Sequence, residues 1–421
     1  MKNEKNSAAP GAWKLRCGLM SRLLGFSFFI SLFSFSPAGA QGLGRYKADF
    51  HVSATNFIET IAIEWQRGQV FVPVTIGGQT YRFLLDTGAG QSVVFSDSPL
   101  AQGPHVGYII SHDATGRTDT VSMTLLPPVM LGSLKLTGLR ATVQPRTSSI
   151  DGILGFDLVN GGLVMTIDVP RRRLILSDQR WPLSKKEEQA LGIVGMKYSL
   201  NFHVPYIDII PFGEHRERVL FDTGSRQFFS MNKAHFDDAE AEKHGGDLTV
   251  EGRIVGRHAI GHYGTEPEGE VAFLQLDSLR LGRCAFSRLH CVTTQGGSHL
   301  GSRLLEYGSV TFDPRRRRLL FIPNAPTDRA IAVGNRQVEI AFVADDQGRP
   351  SVGLVWPQGE PFRLGFRPGD VVEQIDGRPV VSLSQFVLWP FMRGREYQFT
   401  VSSPEGLRRH IRWVRLPAVN R

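Results

Sequence analysis

The chain has 421 residues, 41% of them hydrophobic, 21% charged and 10% aromatic, enough apolar material for roughly two to four packed domains. That mix excludes wholesale disorder and collagen-like repeats, and a total of three cysteines excludes a disulfide-framework scaffold. The formal net charge is +8, but half of it comes from the first 40 residues, and the dilute remainder does not argue for nucleic-acid binding.

The amino terminus reads as an address. Lys2, Lys5, Lys14, Arg16 and Arg22 against a single Glu4 precede the apolar run Leu23 to Ser36, which ends in Pro37-Ala38-Gly39-Ala40, a small-residue site for cleavage after Ala40. The run is 14 residues, short of the roughly 20 that a membrane span needs, so a signal peptide over 1–40 is the better reading than an uncleaved anchor. Met20 would open a more compact signal of the same kind, and Cys17 precedes the apolar run, where a lipid-bearing cysteine would not stand. The mature chain is therefore expected to be exported (periplasmic, at the cell surface or secreted), with no integral membrane segment after signal removal. Residues 41–65 fit a short pro-segment.

From residue 45 the chain repeats itself. Val72-Pro73-Val74-Thr75-Ile76 turns at Gly77-Gly78 and returns as Tyr81-Arg82-Phe83-Leu84-Leu85-Asp86-Thr87-Gly88. Val204-Pro205-Tyr206-Ile207-Asp208 passes a longer turn at Gly213 and returns as Arg218-Val219-Leu220-Phe221-Asp222-Thr223-Gly224. The Pro-to-Asp distance is 13 residues in the first copy and 17 in the second, an insertion that a hairpin loop absorbs at small entropic cost. Each copy then ends alike. Leu154-Gly155 leads to Asp168-Val169-Pro170-Arg171-Arg172-Arg173, and Leu300-Gly301 leads to Asp313-Pro314 and the arginines 315 to 318. Short alternating runs between these landmarks are β-like. The arginine runs, placed identically between two strands, read as solvated hairpin turns, not as a nucleic-acid patch. Residues 45–180 and 196–324 thus form two copies of one mostly-β unit. Within the second, Cys284 and Cys291 flank a strand-turn-strand, and either a local disulfide or two separate buried thiols satisfies the sequence.

Each copy delivers Asp-Thr-Gly behind three apolar residues. An aspartate before Thr-Gly is commonly a turn residue, but two at matching positions of a repeat point to paired chemistry. Two carboxylates brought together cannot both ionise comfortably and share a proton. The ionised partner can then deprotonate a water while the protonated one polarises a carbonyl. Gly88 and Gly224 permit tight turns and close approach.

These triplets, with Leu154-Gly155 and Leu300-Gly301, resemble aspartic proteases of the pepsin and retroviral-protease group over residues 65–324. The resemblance implies a mostly-β fold of two pseudo-symmetric acid-protease β-barrel lobes, with Asp86 and Asp222 as catalytic residues. It implies active-site loop support from Thr87, Gly88, Thr223, Gly224 and Ser225, the two threonines exchanging crossed hydrogen bonds. It also implies hairpin flaps, for which His112 to Thr118 and His258 to Gly264 are candidates. Where pepsins carry a hydroxyl after the first triplet this chain has Ala89, against Ser225 after the second; one lost donor is expected to raise the dyad's titration and extend activity toward neutral pH. Arg226 either stabilises carboxylate charge or points outward. His258 and His262 stand at the spacing of a helical zinc pair, but Gly256, Gly261 and Gly264 speak against a helix, so no metal and no cofactor is expected.

After Pro323-Asn324-Ala325-Pro326, read as a linker, residues 328–418 change character. Leu364-Gly365-Phe366-Arg367-Pro368-Gly369-Asp370-Val371-Val372-Glu373-Gln374-Ile375-Asp376-Gly377 is a Pro-Gly turn, a short buried strand and an Asp-Gly hairpin turn, followed by Ser382 as cap of a helix from Leu383 to Met392 interrupted by Pro390. This resembles the core of bacterial PDZ domains. It implies an α+β fold and binding of peptide carboxyl termini by strand addition near Val338 to Val343; packing against the protease lobes is the equal alternative. The expectation is an exported aspartic endopeptidase acting on extended polypeptides. A catalytically silent peptide-binding protein with the same cleft is the alternative, and a protease restricted to one partner or to itself is a third reading.

Overall fold

The computed structural model describes residues 49–113, 115–146, 149–179, 192–197, 203–241, 247–324, 329–334, 338–392 and 394–414. The expected signal segment lies outside them. The protein is mostly β.

The first copy begins with an alternating hairpin. Strands Gln69–Ile76 and Gln79–Leu85 are joined by Gly77 and Gly78, whose φ values of 60° and 83° suit the tight turn that matches strand twist. Strand Gly152–Leu154 runs parallel to Gln79–Leu85 and antiparallel to Ser92–Phe95. The sheet continues through Arg140–Gln144 and Thr118–Leu125 to the edge strand His105–His112. The second copy repeats this order: Tyr206–Ile209, Glu217–Asp222, His299–Gly301, Phe229–Asn232, Leu289–Thr294, Gly269–Leu276 and Leu248–Gly256. Again the strand bearing the Leu-Gly pair runs parallel to the strand that delivers the aspartate.

A six-stranded sheet unites the halves. Its order is Gly192–Gly195, Arg318–Pro323, Gly308–Asp313, Val164–Asp168, Arg173–Ser177 and Ile58–Ala62. Thr166 faces Thr311 at the junction, and their buried hydroxyls are hydrogen-bonded at 2.7 Å. Both arginine runs form hairpin turns here, with Asp168 opposite Arg173 and Asp313 opposite Arg318. One continuous apolar core, from Ile61 to Phe321, underlies both halves.

Residues 51–66, most of them in the stretch that fits a pro-segment, are built into the sheets: His51–Val52, Ile58–Ala62 and Glu64–Gln66 pair there, and Ile61 and Ile63 enter the core. Cys284 and Cys291 are free thiols, both buried. The intervening turn places them in different sheets, Cys284 opposite Leu281 and Cys291 opposite Leu274, so the local bridge does not form. The helix after Ser382 spans only Leu383–Val387; Ser382 Oγ accepts from Gln385 N–H as expected, but Pro390 disfavours helical backbone at the preceding residue and stops propagation.

The carboxyl-terminal residues build a sheet in the order Ile340–Ala344, Pro350–Val355, Val371–Ile375, Tyr397–Ser402, Arg408–Trp413 around Phe366, Phe399 and Trp413. Asp370 of the Pro-Gly-Asp turn is buried, accepts from Arg367 N–H at 2.7 Å and pairs with Arg409. This sheet is packed on the second half: Val338, Ala341 and Leu354 join Val271, Phe273 and Val292 in one apolar cluster. Arg257 N–H donates to Gly353 C=O at 2.8 Å. Among the described residues no helix is long and apolar enough to cross a membrane.

Candidate active site

The two Asp-Thr-Gly loops meet. Each aspartate leaves a strand anchored in the core, by Phe83 and Leu85 in the first half and by Val219 and Phe221 in the second, so the carboxyl group is carried to a fixed place. Asp86 Oδ1 accepts from Gly88 N–H (2.8 Å) and Ala89 N–H (3.2 Å). Asp222 Oδ1 accepts from Gly224 N–H (2.8 Å) and Ser225 N–H (3.3 Å). A Cβ on Gly88 would lie 2.7 Å from the Asp222 carboxyl, and one on Gly224 would lie 2.6 Å from Asp86 Oδ2. Each carboxyl therefore rests on the other loop's glycine, and only a residue without a side chain leaves it room.

The threonines cross. Thr87 N–H donates to Thr223 Oγ1 (3.0 Å) and Thr223 N–H to Thr87 Oγ1 (3.1 Å). Thr87 Oγ1 donates to Phe221 C=O (2.6 Å) and Thr223 Oγ1 to Leu85 C=O (2.7 Å). All are buried. Beneath the loops, a Cβ on Gly155 would meet Gln91 C=O at 2.6 Å and one on Gly301 would meet Gln227 C=O at 2.2 Å, which is why the Leu-Gly pairs carry glycine.

Burial, then the charge of Asp222, then a hydrogen bond between the two side chains push Asp86 well above the usual carboxylate range. Burial raises Asp222 as well, while the hydrogen bond from Asp86 and the loop N–H groups favour its ionised form. Of the two, Asp86 is pushed further toward its protonated form. Ser225 reaches Asp222 through its N–H, and among the described contacts its hydroxyl makes no bond to the dyad. The donor asymmetry expected from Ala89 against Ser225 is therefore not present; each loop donates two N–H groups. Arg226 does not face the dyad. Its Nη2 donates to Gln69 Oε1 at 2.7 Å, and Gln69 Nε2 donates to Gly224 C=O at 3.3 Å, a brace across the halves.

The expected flap segments converge. The turn after His112 closes the hairpin His105–His112/Thr118–Leu125, and Asp113 Oδ2 accepts from Tyr263 N–H at 2.8 Å. Arg117 Nη1 donates to Tyr263 C=O at 3.2 Å. The segment from His258 is not a simple tip. His258 is buried, donates from Nε2 to Thr293 C=O (2.9 Å) and accepts at Nδ1 from Gln227 Nε2 (3.3 Å). His262 packs edge-on against Tyr263. Glu266, invisible to sequence reasoning, anchors the loop by accepting from His258 N–H, Ala259 N–H, Thr294 Oγ1 and Gln295 N–H at 2.6–2.9 Å. Burial alone would raise its carboxyl, but His258 and these donors hold it below the ordinary value.

A second missed residue lies under the first loop. Asp157 accepts from Ser92 N–H (2.9 Å) and Ser92 Oγ (3.1 Å), and the neighbouring Phe156 N–H donates to Ala89 C=O (2.8 Å). Burial raises its pKa from 3.8 to about 6, with Ser92's two donors opposing. The folded chain thus holds this proton more tightly than the unfolded one. Its contribution is greatest below pH ~4 and declines by about 3 kcal/mol as pH rises to about 6. In Asp157→Asn that part of the slope of stability against pH should vanish, as urea midpoints between pH 4 and 7 would record; an unchanged slope assigns it elsewhere.

Residues 72–158 match the family model described as aspartyl protease. No curated protein matches the chain. Among solved structures, the aspartic proteinase from Irpex lacteus is similar over 65% of this chain and 99% of its own, at 13% identity and a TM-score of 0.39. The stretch carrying Asp86-Thr87-Gly88 and Leu154-Gly155 thus has the sequence pattern of aspartyl proteases, and Asp222-Thr223-Gly224 lies beyond the matched residues.

Proposed function

We propose that the protein is an exported aspartic endopeptidase that hydrolyses extended polypeptides with a water activated by Asp86 and Asp222. The observation that carries this reading is the reciprocal seating of each carboxyl on the opposite loop's glycine. Ionised Asp222 takes a proton from a water held between the carboxyls, and protonated Asp86 donates to the scissile carbonyl oxygen. The hydroxide adds to the carbonyl carbon; the tetrahedral intermediate collapses as the departing amine takes up a proton from the dyad. No cofactor or metal enters this sequence. The two hairpins that meet at Asp113 and Tyr263 act as the covers of a two-lobed cleft.

Residues 1–40 act as the export signal in this reading. The carboxyl-terminal segment is a PDZ-like domain, supported by its Arg367-Pro368-Gly369-Asp370 turn and its edge strand Ile340–Ala344 near the expected groove. Its apolar seam with the second half favours a packing role beside any capture of peptide carboxyl termini.

The test is cleavage of a denatured protein by wild type, Asp86→Asn and Asp222→Asn. Each substitution should reduce the rate at least about 10³-fold, because each removes one member of the acid–base pair. A wild-type protein that binds peptide in the cleft and cuts nothing would leave the silent binding protein standing instead.

A further inference from the structure

The floor of the site is unlike on its two sides. In the first half, Leu84 stands two residues before Asp86 and is opposite Ile153 on the neighbouring strand. Alternation along a strand puts Leu84 on the same face as Asp86, and a partnered residue shares that face. Leu84 and Ile153 belong with Phe71, Phe95 and Ile150 to a small apolar cluster separate from the main core. In the second half, Leu220 stands two residues before Asp222 and is opposite His299. Phe221 and Leu300, between them, point the other way and are fully buried. By register, His299 is the counterpart of Ile153.

An imidazole therefore occupies the floor beside Asp222 where the floor beside Asp86 carries an aliphatic group. His299 is half-buried on the floor near the dyad. Burial favours the neutral ring, with the Gly297 backbone opposing. A neutral imidazole has one N–H and one acceptor nitrogen. A substrate side chain that leaves these groups unpaired in a dehydrated cleft forfeits binding.

We infer that His299 is a specificity-determining residue, one that selects a neutral side chain with a hydroxyl or carboxamide (Ser, Thr, Asn or Gln) on the Asp222 side of the scissile bond, while the Leu84–Ile153 wall selects an apolar side chain on the Asp86 side. This rests on the protease reading above and adds a direction to it: the two halves, alike in fold, sort the two ends of the substrate differently. His299 touches the substrate's side chain and takes no part in moving the reacting proton.

The full-length protein incubated with a peptide library, its cut sites read by mass spectrometry, tests this. Wild type should favour hydroxyl- or carboxamide-bearing residues on one side of the cut by about tenfold, the value of one hydrogen bond, and apolar residues on the other. His299→Ile should abolish the polar preference, leaving the apolar side unchanged, and Ile153→His should weaken the apolar one. His299→Leu, not branched at Cβ, repeats the measurement should isoleucine not be accommodated. Identical cut-site profiles for wild type and the position-299 variants overturn the inference while leaving the protease reading intact. No cutting by wild type overturns both.

Discussion

Alanine at position 224 is expected to abolish peptide cleavage in a protein that still folds, and alanine at 88 to do the same from the other side. At Gly224 the added methyl would sit 2.6 Å from Asp86 Oδ2, closer than real Cβ atoms come to any neighbour. The carboxyl cannot simply turn away, because Gly88 N–H and Ala89 N–H grip its other oxygen. Either those two bonds break or the loops spread and the crossed threonines part. The fold loses about 1–3 kcal/mol, the usual cost of overpacking. The chemistry loses its geometry, and a displacement of about 1 Å costs on the order of 10²-fold or more. A cleavage assay beside a thermal melt separates the two effects. Gly224→Ala with wild-type turnover would mean that the carboxyls are not seated on the opposite loops' glycines.

The second large effect falls on stability. Thr87→Val and Thr223→Val keep the branched shape and delete a hydroxyl that both accepts from an N–H and donates to a C=O across the seam. Each single change orphans the opposite threonine's N–H and one carbonyl, at about 1–3 kcal/mol per group, so about 2–6 kcal/mol in all. The double variant should lose about 4–12 kcal/mol, comparable with the whole stability of a typical domain, and should not populate the native state fully. Thr→Ser keeps the hydroxyl and should retain most of the stability. Chemical denaturation of wild type and these variants decides; a double variant within about 1 kcal/mol of wild type would show the crossed bonds to be replaceable by water.

What the sequence disclosed was local. Gly77-Gly78 between alternating strands, the three apolar residues before each aspartate and the arginine turns are short-range signals, and each lies where its pattern puts it. The meeting of Asp86 with Asp222 was inferred from a repeat and a family resemblance, not from any rule about either residue alone. What escaped were contacts that leave no periodic trace. Asp113 and Tyr263 are 150 residues apart, and Gln69 and Arg226 are 157 apart. Glu266 looks like any surface acid until a loop folds around it. The two cysteines showed the converse: seven positions apart in sequence, they were parted by a turn that sent their strands into separate sheets.

The sheet that joins the halves has a mechanical meaning. Val164–Asp168 and Gly308–Asp313 are neighbours in one unbroken ladder, sealed by the Thr166–Thr311 contact. Scission of the backbone between Gln179 and Gly192 would leave two fragments still zipped together. In the proposed reading, a substrate parts the hairpins where Tyr263 N–H meets Asp113, while the ladder beneath stays paired.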